Sequence, residues 1–385
     1  MRVSAQPLSA LTTMRVGGPA EQILTAHTRD ELIEQAIALW GHRDDWLLLG
    51  GGSNTVISDE GYPGAVLLVR TSGIARIDDP ELAAGAVRLR VEAGHDWDAL
   101  VDECVERGWA GIEALSGIPG LVGAAPVQNI GAYGQELSDV LHSIEFLDAA
   151  TYEPRRMLAS ELELGYRDSV IKQGLEGVVL SIDLVLADAA VVGSEAGPEP
   201  LSEPIRFAQL ASALGVELGS RVPLRTVRDT VLALRAAKGM VLDESDYDTW
   251  SAGSFFTNPI VTERFARGLP ENAPRFPIVD PEEAPAFTSL DELEAGQPLR
   301  IPAPAKEHRV KLSAAWLIEH SGVPKGYRLP GSGASVSTKH TLAITNRGAA
   351  SAADVGELAR FIVQRVQQEF GLVLVPEPNL YGIEV

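Results

Sequence analysis

Cysteine is almost missing from this chain: Cys104 stands alone among 385 residues. A single thiol excludes a disulfide framework and any metal site built on several cysteines. The 7 histidines do not supply a metal site either, since none falls in H-E-x-x-H or another two-ligand spacing, so no metal is expected. Positive charge is scarce. Lys and Arg number 32 against 53 Asp and Glu, a formal net charge of −21. That excess argues against nucleic acid or an anionic membrane surface as partner. It also requires any phosphate-bearing ligand to be met by a few clustered cations. No apolar run approaches the length that crosses a bilayer, and the N-terminus lacks the basic-then-apolar pattern of a signal peptide. A cytoplasmic location is the expectation. No G-x-x-x-x-G-K-[ST] occurs, which disfavours a P-loop kinase or ATPase.

What is present is enough for two or three domains with sizeable cores. Thr28 and Glu31 form a capping box for a helix over 29–40. Residues 46–49 and 65–69 read as short apolar strands, and 87–92 as a half-exposed strand of alternating character. Asp96 caps a helix that ends at Gly108. Strands are expected over 144–147 and 178–186, then a linker or surface excursion over 187–204. A helix is expected over 223–238, surface loops over 269–304, and a short helix over 312–320. The clearest helix carries Val355, Leu358, Ala359, Ile362, Val363, Val366 and Phe370 on one face. A last strand is expected over 372–375. The pattern is α+β.

Two glycine-rich stretches organise the chain. Residues 111–134 hold Gly111, Gly117, Gly120, Gly123, Gly131 and Gly134, and Glu113 is the only charge. Residues 50–54, Gly-Gly-Gly-Ser-Asn, directly follow the strand 46–49. Glycine lets a ligand approach the backbone closely, and successive N–H groups can form an anion-binding concavity. Neither stretch has G-x-G-x-x-G spacing, so a Rossmann reading is weak. Two such loops from separate strands could instead clasp one pyrophosphate from two sides.

Seven segments give the chain a resemblance. They are TTMRVGGPA at 12–20, LLLGGGSN at 47–54, SGIPGLVGAAPVQNIGAYG at 116–134, YRDSVIK at 166–172, AGSFFTNP at 252–259, KLSAAWLIEHSG at 311–322 and VPEP at 375–378. In this order they resemble the UDP-N-acetylenolpyruvoylglucosamine reductase family, flavoenzymes of peptidoglycan precursor synthesis. The resemblance implies an FAD-binding domain of the vanillyl-alcohol-oxidase (PCMH) type over 1–190 in two α+β lobes. A linker over 191–205, a smaller α/β substrate-binding domain over 206–370 and a C-terminal segment, 371–385, returning to the active site would follow. Non-covalent FAD and NADPH are the implied cofactor and reductant.

Residue by residue, the resemblance assigns catalysis to Arg167, Ser254 and Glu377. On residue type alone, Ser254 is most often a turn residue, Arg167 a surface partner of Asp168, and Glu377 part of a solvated acidic tail stiffened by two prolines. In the family the serine is a proton donor to carbon, the arginine points into the active site, and the glutamate comes from the C-terminal segment. The FAD loops are expected to contribute Gly50, Gly51, Gly52, Ser53 and Asn54, then Ser116, Gly117, Ile118, Pro119, Gly120, Gly123 and Ala124, and Gln128, Asn129, Gly131, Ala132 and Tyr133. The substrate diphosphate falls to Arg235 and Lys238, three residues apart on one helix face. Tyr166, Asn258, Lys311 and Glu319 line the substrate pocket, and Phe207 stands nearest to the family's lid tyrosine. His320 replaces a family glutamine. His340 is expected to be structural.

These assignments predict a hydride from reduced flavin to the vinyl carbon of the substrate, charge spreading onto its carboxylate, and a proton from Ser254. A shared substrate site with ping-pong kinetics and a monomeric protein are also expected. The rival readings are an oxidase of the same fold acting on an alcohol or hydroxy acid, and a non-catalytic nucleotide-binding protein. A flavin spectrum bleached by NADPH discriminates against the latter.

Overall fold

The computed structural model describes residues 6–42, 45–189, 199–278 and 308–385. The centres of the expected excursions 187–204 and 269–304 lie outside these residues.

The first lobe is a three-stranded parallel sheet, with Tyr62–Val69 between Ala20–Ala26 and Trp46–Leu49. The helix Arg29–His42 buries Leu32, Ala36 and Leu39 against it. Its start follows from Thr28, whose Oγ1 accepts from the Glu31 N–H at 3.2 Å. Trp46–Leu49 runs straight into the first glycine loop, so the sheet sets where that loop lies.

The second lobe is a six-stranded antiparallel sheet, whose main path is Pro154–Leu158, Leu141–Asp148, Gly177–Asp188, Ala86–Glu92 and Ile74–Ile77. Trp109–Ala110 pairs off that path with Gly177–Asp188. The helix Trp97–Arg107 packs Trp97, Leu100, Val101, Cys104 and Val105 into its core. Asp96 caps it through the Ala99 N–H, and Gly108 ends it at φ 77. The alternating strand is not half-exposed in the simple sense. Arg88 and Arg90 leave one face of it, and with Arg156 they converge on the fully buried Asp183. Those three guanidiniums hold the carboxyl below the usual range against the opposing effect of burial.

The third unit joins the sheet Ile260–Thr262, Arg309–Leu312, Arg275–Ile278 to the helices Ala314–His320 and Ala352–Phe370. Phe255, Phe256, Leu317, Leu358, Ile362 and Val366 form its core. The long helix opens on a reciprocal Ser351/Asp354 capping box and closes at Gly371, φ 69. Met14, Val16 and Val56, from the far end of the sequence, sit in the same core.

Three sequence expectations change. No strand forms over 372–375; the last strand is Asn379–Tyr381, which pairs in parallel with Thr55–Ile57 of the first lobe. The apolar residues before it dock by side chain instead, Leu374 being buried. The helix expected to reach Lys238 ends at Ala236, because the Lys238 N–H bonds Arg235 O in a tighter final turn. Ala314–His320 begins two residues late, since Arg309–Leu312 is a strand and Ser313 caps the helix.

The helices Ala208–Leu214 and Leu224–Ala236 pack on the second lobe. Val227 and Val231 share a core with Ala114 and Ile205, and Leu224 joins the sheet core. Arg228, only 7% exposed, grips Asp98 at 2.7 and 3.0 Å.

Candidate active site

The two glycine loops meet side by side. A Cβ on Gly51 would stand 2.9 Å from Gly120 Cα, and one on Gly120 would stand 2.8 Å from Ser53 Oγ. Ser53 Oγ donates to Pro119 O at 2.9 Å. The loops therefore form one joined rim and do not clasp a ligand across a gap at this point. Glycine is demanded here by close approach, and at Gly120 also by φ 128.

Several side chains expected at the cofactor bond within and between the loops. Ser116 is buried and donates to Glu113 O. Asn54 Nδ2 donates to Gln128 Oε1 at 3.0 Å. Asn129 Nδ2 donates to Gly165 O at 3.1 Å and its Oδ1 accepts from Ser138 N–H, which pins the glycine loop to the turn carrying Tyr166 and Arg167. The N–H groups of Gly117, Gly123 and Ala124 are taken by Asp98, Ala93 and Leu121. Those of Gly51, Gly52, Ser53, Ile118 and Gly120 bond to no described residue. What the rim offers a ligand is free backbone donors, which carry no signal in the side-chain sequence.

Arg235 lies against this rim. Its guanidinium approaches the Cβ position of Gly117 to 3.4 Å, its Nη2 donates to Met240 O, and its buried Nε bonds to no described group. Burial lowers its proton affinity. An unsatisfied buried cation beside free N–H groups is a site that an anion completes. Lys238 leaves the chain just beyond the helix, with Nζ 5.6 Å from the Tyr133 ring and 3.1 Å from Gln209 Oε1. Phe207 meets Tyr133 edge to face at 5.8 Å.

Arg167 and Glu377 meet from distant parts of the chain, and the Glu377 backbone bonds to the residue after Ser254. Arg167 Nε stands 3.3 Å from Glu377 Oε1. The two Nη atoms of Arg167 donate to Asn129 O at 3.2 Å and Gly131 O at 2.8 Å, so the guanidinium is fixed on the glycine loop. The Glu377 N–H donates to Phe255 O at 2.9 Å, next to Ser254, and Asn54 Nδ2 reaches Glu377 O at 3.4 Å. Burial raises the Glu377 carboxyl above its usual range, against the Arg167 and Lys172 charges. Asn129, Tyr133 and Arg167 all hold positive φ, 45, 49 and 55. Such strain in non-glycine residues persists where surrounding contacts impose it, and it gathers at working sites.

Tyr166, Asn258 and Lys311 flank Arg167: Asn258 Nδ2 donates to Tyr166 O–H at 3.3 Å and Lys311 Nζ lies 4.5 Å over the Tyr166 ring. Glu319 accepts from the Thr341 hydroxyl. His320 stacks on Trp316 of its own helix at 3.8 Å.

Sequence reasoning gave His340 a structural role and no contact with the serine. Its Nε2 lies 3.4 Å from Ser254 Oγ. Lys339-His340 carried no motif, and the contact crosses 86 residues. Asp248 was missed. Its carboxylate takes the Ser337 hydroxyl, the Thr338 N–H and hydroxyl, and Arg347, which fastens the His340 turn to the strand of chain leading to Ser254.

Burial first, then Lys238, Lys325 and Arg235, push His340 down from 6.5 to about 4. A depressed histidine stabilises the fold above its unfolded value, and that contribution is lost as pH falls from 6.5 through about 4. The displacement corresponds to roughly 3 kcal/mol. Urea unfolding between pH 8 and 4.5 is therefore expected to show a steeper acid loss in the native chain than in His340→Gln. Parallel curves for the two would remove this assignment.

Among the described residues no group of His, Cys, Asp or Glu is placed to hold a metal ion. No described helix is long and apolar enough to cross a membrane.

An FAD binding domain profile matches residues 20–151, and the profile of the UDP-N-acetylenolpyruvoylglucosamine reductase C-terminal domain matches 244–381. The UDP-N-acetylenolpyruvoylglucosamine reductase of Leifsonia xyli is 56% identical over 377 residues, 98% of each chain. The chain belongs to that family. The reductase of Saccharopolyspora erythraea is 45% identical over 97% of this chain and 94% of its own. The crystal structure of UDP-N-acetylenolpyruvylglucosamine reductase from Thermus caldophilus superposes with a TM-score of 0.58 at 26% identity, covering 99% of both chains. The rim N–H groups that bond to no described residue fit the diphosphate of FAD, and close packing at Gly51 and Gly120 leaves no room for side chains in their place.

Proposed function

We propose that Arg167, Glu377 and Ser254 are the reacting centre, and that the joined rim holds FAD. As a member of its family the chain is a flavoprotein oxidoreductase that reduces UDP-N-acetylenolpyruvoylglucosamine to UDP-N-acetylmuramate with NADPH, in peptidoglycan precursor synthesis. FAD, when bound, supplies the two-electron chemistry by carrying hydride from NADPH to the enolpyruvyl carbon.

The observation that carries the residue roles is the Arg167–Glu377 pair at 3.3 Å, with Glu377 tied through its N–H to the residue after Ser254. Arg167 is permanently charged and its orientation is fixed by two carbonyls, so it can hold a carboxylate while negative charge builds on it. Glu377 has a raised proton affinity, which favours a neutral carboxyl that donates toward the same charge. Ser254 delivers the proton to the neighbouring carbon. Gly253, at φ 74, has open space where a Cβ would stand, so the serine follows a turn with room beside it.

Arg235 and Lys238 meet the diphosphate of the substrate, with Arg235 lying beside Gly117. Tyr166, Asn258 and Lys311 line the approach to Arg167. The substrate-binding unit begins near residue 244, because the helices before it pack on the second lobe. A cytoplasmic monomer is part of this reading; the Arg167–Glu377 pair lies within one chain, and no described helix is long and apolar enough to cross a membrane.

The test is an anaerobic titration. NADPH should bleach the flavin spectrum, and UDP-N-acetylenolpyruvoylglucosamine should restore it. Arg167→Lys keeps the charge but loses the planar fork. It is expected to slow the restoring phase by about tenfold to a hundredfold, with bleaching preserved. A flavin that NADPH does not bleach contradicts the functional reading.

A further inference from the structure

We propose that His340 is a positioning residue whose neutral ring donates a hydrogen bond from Nε2 to Ser254 Oγ, leaving the serine proton free to face the substrate. The inference rests on Ser254 being the proton donor. It adds to that reading how a hydroxyl can be made to give its proton in one direction.

Ser254 Oγ and His340 Nε2 stand 3.4 Å apart and both are partly shielded from solvent. A neutral imidazole has one N–H and one lone-pair nitrogen. If Nε2 were the acceptor, the serine proton would point at the ring and away from the carbon that must receive it. If Nε2 is the donor, the Oγ lone pair is occupied and the O–H is aimed elsewhere. Lys238, Lys325 and Arg235 surround the ring with positive charge and oppose a doubly protonated imidazolium. Glu319 acts in the other direction, and its carboxylate accepts from Thr341.

The fold fixes this contact from both sides. The His340 N–H donates to Ser337 Oγ at 3.2 Å, and Ser337 Oγ donates to Asp248 at 2.9 Å. Lys339 binds Asp246 at 2.5 Å. Asp246 and Asp248 lie on the segment that runs into Ser251, Gly253 and Ser254. The histidine turn and the serine turn are thus fastened to each other a few residues before the functional groups, which makes their separation insensitive to motion elsewhere.

The chemistry balances. The Oγ–H bond of Ser254 breaks as a C–H bond forms on the substrate, and the electron pair stays on Oγ. The Nε2–H bond to that oxygen strengthens as its charge grows. Solvent water then returns a proton to Oγ, and His340 ends as it began.

The experiment compares the native holoenzyme with His340→Leu, His340→Gln and Ser254→Ala. Each is followed through bleaching by NADPH, recovery with UDP-N-acetylenolpyruvoylglucosamine, the KM for that substrate and thermal melting. His340→Leu should slow recovery by about tenfold to a hundredfold, with bleaching and KM little changed. His340→Gln, whose amide can donate, should recover most of the rate. Nitrogen-15 NMR of the native imidazole should show a neutral ring protonated at Nε2 at pH 7. Should His340→Leu fold but recover at the native rate while Ser254→Ala does not, the role of His340 is overturned and that of Ser254 stands. A ring protonated at Nδ1 overturns it as well, whether or not the leucine variant folds. Native recovery in Ser254→Ala brings down both.

Discussion

Ser254→Ala is expected to keep its yellow colour and bleach with NADPH at the native rate, yet recover with UDP-N-acetylenolpyruvoylglucosamine about a thousandfold more slowly. The size follows from what is removed. The Ser254 side chain is bonded to His340 alone among the described groups, so its loss leaves one imidazole hydrogen bond open and no core cavity. Folding should scarcely change. Proton delivery to carbon, in contrast, is not the work of the described donors beside it: Arg167 is committed to two carbonyls and Glu377 with its proton held too firmly to serve, and Glu377 is turned to the arginine that holds the carboxylate. The two half-reactions separate the outcomes cleanly. A slow first phase would mean that the serine shapes the cofactor site, and a native second phase would mean that another group is the acid.

Gly51→Ala is expected to yield protein largely free of FAD. The new methyl would meet Gly120 Cα at 2.9 Å, and the obstacle is backbone, so one loop must move. Free N–H groups on both sides of that contact would then no longer point at one diphosphate. Losing two charge-assisted hydrogen bonds at about 1.5 kcal/mol each weakens binding on the order of a hundredfold. The flavin-to-protein absorbance ratio and the melting shift on adding FAD measure it. Gly41→Ala is the control, because nothing stands within 4 Å of its Cβ and it lies in the first helix. Native flavin content in Gly51→Ala would show that the joined rim is not where the cofactor is held.

Much of the frame was legible. Strands such as Trp46–Leu49 and Gly177–Asp188 are apolar runs that only a buried sheet satisfies. The helix Ala352–Phe370 announced itself by an apolar face, and the structure adds the Ser351/Asp354 box. The last strand did not, because pairing of Asn379–Tyr381 with Thr55–Ile57 is bought by contacts more than 300 residues distant in sequence, as the Asn54–Glu377 bond at 323 residues also is. Which core a helix joins was illegible for a related reason. A helix such as Leu224–Ala236 shows which face is apolar but not which core receives it, and Arg228 to Asp98 settles that across 130 residues.

By itself the sequence determined residue types and local backbone: which loops must be glycine, where helices start and stop, and which serine, arginine and glutamate match a family. Tertiary structure decided what those groups face. It joined the two loops into one rim, left several of their N–H groups without a bond to any described residue, placed Arg235 beside them, and set His340 on Ser254. The reason is physical. Local preferences act over a few residues, whereas a hydrogen bond or a proton affinity depends on whatever the whole fold brings within a few ångströms, and that is not written at any one position.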